Sequence, residues 1–309
     1  EFKEIPSGNF RYRGEITGGA FDDYRVEGYY RFSQAAAGGI SDRPEGLSAG
    51  GILLNYNNFA GGSRAQYLYS ADGQVYCRVG TKPFKSIVPQ REVRYYALGD
   101  SITEGTCSEN GKIGPVITDN YVKILAESNG YQLTNYGEGG SGWNHAATAH
   151  NHYNAKQLVD TIDFSGCDLV TLAYGVNDWH YNVQVGSPGD DKNAGTSCAN
   201  MKYCIEKILD DNPLCKIIVL TPMNCTKYGG TLETNWGLGK AFSNSGTLQD
   251  VIDKEIEICK YYGIEYVVQS ETGVVNRANI NKVLDDGIHP IRALHTAIGK
   301  DLAAKINMK

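Results

Sequence analysis

The chain has 309 residues, enough for one large domain or two moderate ones. Its formal net charge of -6, with no long Lys/Arg run and no zinc-finger spacing, speaks against a nucleic-acid partner. No apolar stretch approaches the ~20 residues of a membrane span, and the start does not read as a signal peptide; membrane insertion is not expected.

Up to Pro89-Gln90, short tyrosine-rich pieces are broken by glycine: Tyr24 to Phe32, Gly51 to Asn55, Ala65 to Tyr69 and Gln74 to Val79. In "RAQYLYSADGQVYCRVG" two alternating arms flank Ala71-Asp72-Gly73, and the D-G pair favours a tight hairpin turn. Alternation in both arms implies a sheet with one covered face. Ser33 to Ala37 has room for a single helical turn. Residues 1–90 therefore read as a small β-rich domain.

After residue 92 the pattern becomes strand, helix, strand. Arg94 to Leu98 reads as a strand ending at Gly99-Asp100-Ser101. Asp119 to Ser128 reads as a helix stopped by Asn129-Gly130. Gln132 to Tyr136 is the next strand, followed by a loop from Gly137 to Gly142. "DLVTLAY" (Asp168 to Tyr174) and "KIIVL" (Lys216 to Leu220) are almost continuously apolar, as buried strands of a parallel sheet are. Helices over Ala199 to Leu209 and Leu248 to Tyr261, a strand over Ile264 to Val268 and a last helix over Ile291 to Ile306 complete the series. Glycine-containing polar loops cover 180–197 and roughly 223–245. Repeated βα units predict a three-layer α/β/α sandwich over residues 91–309.

Eight cysteines lie at 77, 107, 167, 198, 204, 215, 225 and 259, with no C-x-x-C pair. Cys167, Cys215 and Cys259 fall in or beside core elements, where a thiol behaves as a small hydrophobe. Free buried thiols are expected, with one or more disulfides, or metal ligation, as the alternatives.

In an open α/β sheet, ligands bind at the carboxyl ends of the strands. Ser101 follows the first strand of this half, Gly140 the second and Asn177 the third, while Asp286 and His289 precede the last helix. Ser101, His289 and Asp286 supply the nucleophile, base and acid that serine ester hydrolysis needs. Each has a blander reading alone: D-x-x-H as turn and cap, Asn177 as an Asx-turn with Asp178 as a cap, and Gly140 as a flexible turn. Their coincidence at equivalent ends of separate elements favours chemistry.

With these residues in place, residues 93–309 resemble the SGNH/GDSL hydrolase superfamily, whose four blocks stand in order as "LGDSIT", "NYGEGGSG", "YGVND" and "DDGIHP". The resemblance implies a flavodoxin-like α/β/α fold and a serine carboxylester hydrolase without cofactor or metal. It assigns the nucleophile to Ser101 and the acid and base to Asp286 and His289. The oxyanion donors fall to Ser101, Gly140 and Asn177, with Gly139 and Gly142 as neighbouring alternatives to Gly140. Asp100 and Asp285 are expected to shape their turns. Trp143 and Trp179, following the two oxyanion loops, are candidate substrate-binding platforms or packing residues. His145, His150, His152 and His180 read as surface or capping residues, and His295 as a packed or solvent-facing helix residue.

Residues 22–82 resemble the glycine-punctuated β modules of bacteriophage tail-fibre and tail-spike proteins. That resemblance implies O-deacetylation of an acetylated cell-surface glycan by a tail-associated protein, located on a virion tail or outside the cell. It also suggests a homotrimer or attachment to a tail, although no heptad segment signals a trimer. The alternatives are a broad short-acyl esterase and a glycan-binding structural module.

Overall fold

The computed structural model describes residues 11–45, 47, 49–56, 64–86, 93–226 and 236–308. The chain divides into two compact units, Glu1–Arg91 and Glu92–Lys309. Pro89-Gln90, where the sequence changes character, and part of the 223–245 loop lie outside the described residues.

In the first unit, β1 (Tyr12–Ile16) pairs in parallel with β2 (Gly28–Phe32), and a one-turn helix α1 (Gln34–Gly38) follows, capped by the Ser33 hydroxyl. The remaining strands, β3 (Gly51–Tyr56), β4 (Ala65–Ser70), β5 (Val75–Val79) and β6 (Lys85–Ser86), continue as an antiparallel meander. Asp72-Gly73 turns the β4–β5 hairpin as its composition predicts. Phe21, Tyr30, Phe32, Leu53, Leu68 and Tyr76 lead the small core.

The second unit is built on a parallel sheet of five strands: β7 (Arg94–Gly99), β10 (Gln132–Gly137), β11 (Leu169–Ala173), β12 (Lys216–Leu220) and β13 (Glu265–Val267). Their order is β10-β7-β11-β12-β13, so the chain moves outward in one direction from β7 and in the other from β11. Right-handed crossovers therefore put α3 (Tyr121–Asn129) on one face. The other face receives α4 (Ala155–Val159), α6 (Ser197–Asp211) and α7 (Leu248–Tyr262), and the packing of α4 and α7 on α6 agrees with this. The closing helix α9 (Arg292–Lys305) packs on α3. This is the expected α/β/α sandwich, and its strand order places a switch point between β7 and β11.

Several elements are absent from the sequence reading. Short helices α2 (Ser101–Glu104), α5 (Val176–His180) and α8 (Ile280–Val283) follow or precede the site loops. Between α2 and α3 stands a hairpin, β8 (Thr106–Glu109) and β9 (Lys112–Val116). All eight cysteines are free, and all but Cys77 are buried.

Candidate active site

Strand β7 delivers the chain into α2 with Asp100 as its N-cap, the carboxylate accepting from the Ile102 N–H at 2.9 Å. Ser101 is thus the first residue of a one-turn helix at the carboxyl edge of the sheet. Its hydroxyl lies 2.9 Å from His289 Nε2. His289 Nδ1 lies 2.6 Å from Asp286 Oδ2, where the carboxylate can only accept, so the proton sits on Nδ1 and Nε2 is free to act as a base. Asp286 Oδ1 accepts from the N–H groups of Ile288 (2.9 Å) and His289 (2.7 Å). Burial alone pushes the Asp286 carboxyl up, yet these hydrogen bonds and the imidazole outweigh it and hold it below its ordinary value.

The second and third loops meet beside the serine. Gly140 adopts φ 79°, a left-handed conformation that side chains resist, in a loop joined to α2 by Asn135, which donates to Thr103 O at 2.8 Å. Asn177, on α5, donates its amide to Ser141 O at 2.8 Å. Ser101, Gly140, Asn177 and His289 all line one cleft of about 1160 Å³, part of it open to solvent.

Residues 97–297 match the GDSL-like Lipase/Acylhydrolase family. The chain belongs to that family. Solved structures with the same fold include a protein from Lactobacillus plantarum (20% identity, TM-score 0.55, covering 69% of this chain and 96% of that one). An aryl esterase of M. smegmatis is similar at 16% identity and TM-score 0.52, over 69% and 97% of the two chains. A carbohydrate acetylesterase from Sinorhizobium meliloti is similar at 15% identity and TM-score 0.51, over 69% and 98%. No curated protein matches the sequence. The Ser–His–Asp arrangement of this GDSL-like chain is that of a serine hydrolase acting on esters.

The loops carrying Gly140 and Asn177 in this GDSL-like domain are braced from behind by carboxyls. Asp178 does not cap its own helix; it accepts from the N–H groups of Trp143 (2.7 Å) and Asn144 (2.8 Å) and from the Ser197 hydroxyl (2.7 Å). Glu255, buried on α7, accepts from the Trp143 indole N–H at 2.7 Å. Burial pushes its carboxyl well above the usual range, against the opposing pull of that hydrogen bond. Gly175, at φ 105°, lets the backbone leave β11 against this acid: a Cβ there would lie 2.4 Å from Glu255 Oε1.

Neither tryptophan is a platform in the cleft. Trp143 is 1% exposed and Trp179 fully buried, its indole N–H donating to Lys240 O at 2.9 Å. In a helix, residues two apart point to nearly opposite sides; with Asn177 in the cleft, Trp179 is turned into the core. The aromatic ring in the cleft is Tyr181, together with the imidazoles of His150, His152 and His180. His150 is exposed, as a surface residue is, but the sequence did not show that it and the half-buried His152 and His180 line the cleft. His152 Nδ1–H donates to Gly139 O at 2.7 Å and His145 Nδ1–H to Gly140 O at 2.6 Å, so two of the four histidines hold the Gly139-Gly140 loop. Their closeness to the "GEGG" segment was the available signal, but spacing in a loop does not fix direction.

His295 is packed: it is fully buried, donates through Nε2 to Thr106 O at 3.2 Å, and burial drives its pKa to about 4. Asp285 reaches past its own turn to accept from the Gly111 N–H at 2.6 Å. Asp100 keeps the structural place expected of it, and burial pushes its carboxyl up to about 7. Among the described residues, no three His, Cys, Asp or Glu side chains gather as a metal site. No helix among them is long and apolar enough to cross a membrane.

Proposed function

We propose that the protein hydrolyses short-acyl carboxylic esters through a covalent acyl-enzyme on Ser101. The observation that carries this is the unbroken relay from Ser101 Oγ to His289 (2.9 Å) to Asp286 (2.6 Å), opening into a cleft shared with Gly140 and Asn177. His289 Nε2 takes the serine proton as Oγ attacks the carbonyl carbon, and Asp286 stabilises the imidazolium. The N–H groups of Ser101 and Gly140 and the Asn177 amide receive the developing oxyanion, each donor contributing about 3 kcal/mol in the transition state. His289 then protonates the departing alkoxide, and water releases the acid by the same route. The Ala147 methyl lines the same cleft, 2.8 Å from where a Cβ on Gly140 would sit.

Ser101→Ala should lower kcat/KM for short-acyl esters by about a thousandfold or more while leaving the melting temperature unchanged. Unaltered turnover in that variant would overturn the mechanism. Asn177→Ala should cost roughly a hundredfold to a thousandfold in kcat.

A narrower reading takes the ester to be an O-acetyl group on a bacterial surface glycan, with the protein attached to a virion tail. It is supported by the polar cleft groups Glu104, His150, His152, His180 and Tyr181, which can meet sugar hydroxyls. Its other support is the tail-module resemblance of residues 22–82. The fold shared with an aryl esterase and a carbohydrate acetylesterase does not choose between aryl and sugar esters. Acetate released from acetylated polysaccharide by the wild type, and not by Ser101→Ala, is the result this reading requires.

A further inference from the structure

The β8–β9 hairpin is fastened to the loop that carries Asp286 and His289. Ser108 donates its N–H to Pro290 O at 3.0 Å and its hydroxyl to His289 O at 2.6 Å, and it accepts from the Asp285 N–H at 3.0 Å. At the hairpin tip the Gly111 N–H donates to the Asp285 carboxylate at 2.6 Å. Four hydrogen bonds thus hold the hairpin in one place relative to the catalytic histidine.

That placement decides where Ile113 points. Ser108 and Ile113 are cross-strand partners, and such partners share a face of the pair. The Ser108 hydroxyl turns toward His289 O, so Ile113 turns the same way and lines the cleft beside Ile288 and His289. It is nevertheless 57% exposed, a large aliphatic side chain at the cleft wall with much of its surface uncovered.

The chemistry fixes which half of an ester meets this wall. In acylation the bond from Ser101 Oγ to the carbonyl carbon forms and the bond from that carbon to the alcohol oxygen breaks. The serine proton, held on His289 Nε2, passes to the departing oxygen. The leaving oxygen must therefore come within hydrogen-bond reach of Nε2, while the carbonyl oxygen lies toward Gly140 and Asn177. The alcohol half is on the His289 side.

We infer that Ile113, with Ile288, is an apolar shelf for the leaving alcohol, and that the enzyme prefers esters of apolar alcohols and phenols over esters of polyhydroxy alcohols. This rests on the esterase reading, narrows its substrate class and stands against the surface-glycan reading, in which the leaving alcohol is a polyhydroxy sugar.

The test compares kcat/KM of the wild type and Ile113→Ser on two series. One is acetates of ethanol, butanol, phenol and 2-naphthol; the other is ethyl esters from acetyl to hexanoyl. Dividing variant by wild type for each ester cancels its intrinsic reactivity. The ratio should fall about fivefold or more from ethyl to naphthyl acetate and stay level along the acyl series. A ratio level across the alcohols, or falling with acyl length, overturns the shelf. So does a uniform loss on every ester, which would leave the hairpin as a mere support of the triad. A wild type inert toward both series overturns the esterase reading, and the shelf with it.

Discussion

The two units satisfy their buried ionisable groups in opposite ways. In the β-rich unit the Arg78 side chain, 3% exposed, pairs with Asp42 at 2.8 Å, donates to Gln66 Oε1 at 2.6 Å and lies over the Phe84 ring at 4.2 Å. Asp22, paired with Arg64, stands 3.9 Å from the same guanidinium. In the hydrolase unit the buried acids Asp100, Asp178, Glu255 and Asp286 make no ion pair with lysine or arginine among the described residues. Asp100, Asp178 and Asp286 are held by backbone N–H groups, and Glu255 accepts from an indole. A charge matched by its opposite within the core is satisfied where it stands. A carboxyl satisfied by loop N–H groups instead dictates the path of those loops, which is how this unit shapes its catalytic edge.

The strongest way to break this contrast is at Asp286. Asp286→Asn keeps an oxygen for the loop N–H groups but loses the carboxylate that sets the imidazole tautomer. It should lower kcat by about 10⁴-fold in steady-state assays with little change in melting temperature. Arg78→Ala should do the reverse, destabilising the β-rich unit by about 1–3 kcal/mol in denaturant titration by removing the cation from Asp42 and the donor from Gln66 Oε1. Hydrolysis should be untouched, and a neutral outcome would mean that the ion pairs do not hold that core.

Smaller effects sharpen the contrast. Glu255→Leu leaves the Trp143 indole N–H without its acceptor, at about 1–3 kcal/mol in stability, and should lower kcat more than it raises KM. Glu255→Gln, which can still accept, should restore both. For Asp100 the folded pKa of about 7 stands above the ordinary 3.8, so the folded state holds its proton more tightly. Its contribution is fully present below about pH 4 and is lost as pH rises through about 7. Asp100→Asn should therefore narrow the loss of thermal stability between pH 5 and pH 9, by on the order of 1–2 kcal/mol.

Much of the hydrolase fold was legible because its strands are buried on both faces. "KIIVL" is the strand Lys216–Leu220 residue for residue, and "DLVTLAY" overshoots Leu169–Ala173 by one residue at each end. Asn129-Gly130 marked the end of α3 because Gly130 takes the left-handed cap at φ 70°. The β8–β9 hairpin escaped because Thr106 to Val116 is too polar and irregular to alternate. Its legible sign was Asn110-Gly111, both at positive φ (54° and 71°), the dipeptide of a tight hairpin turn. The helical turns α2 and α5 are too short for any periodicity to register.

Within the site, the sequence by itself determined the reacting groups. Ser101, Asp286 and His289 were readable because nucleophile, base and acid must be those residue types, and strand ends are where a parallel sheet gathers them. Only the tertiary structure decided what surrounds them. It turned Trp143 and Trp179 inward and brought His150, His152 and His180 into the cleft; it also set Asp178 and Glu255 behind the loops of Gly140 and Asn177 and placed Ile113 in the cleft wall. Whether a loop side chain faces solvent, core or substrate depends on neighbours distant in the chain, and residue type and spacing carry no record of those.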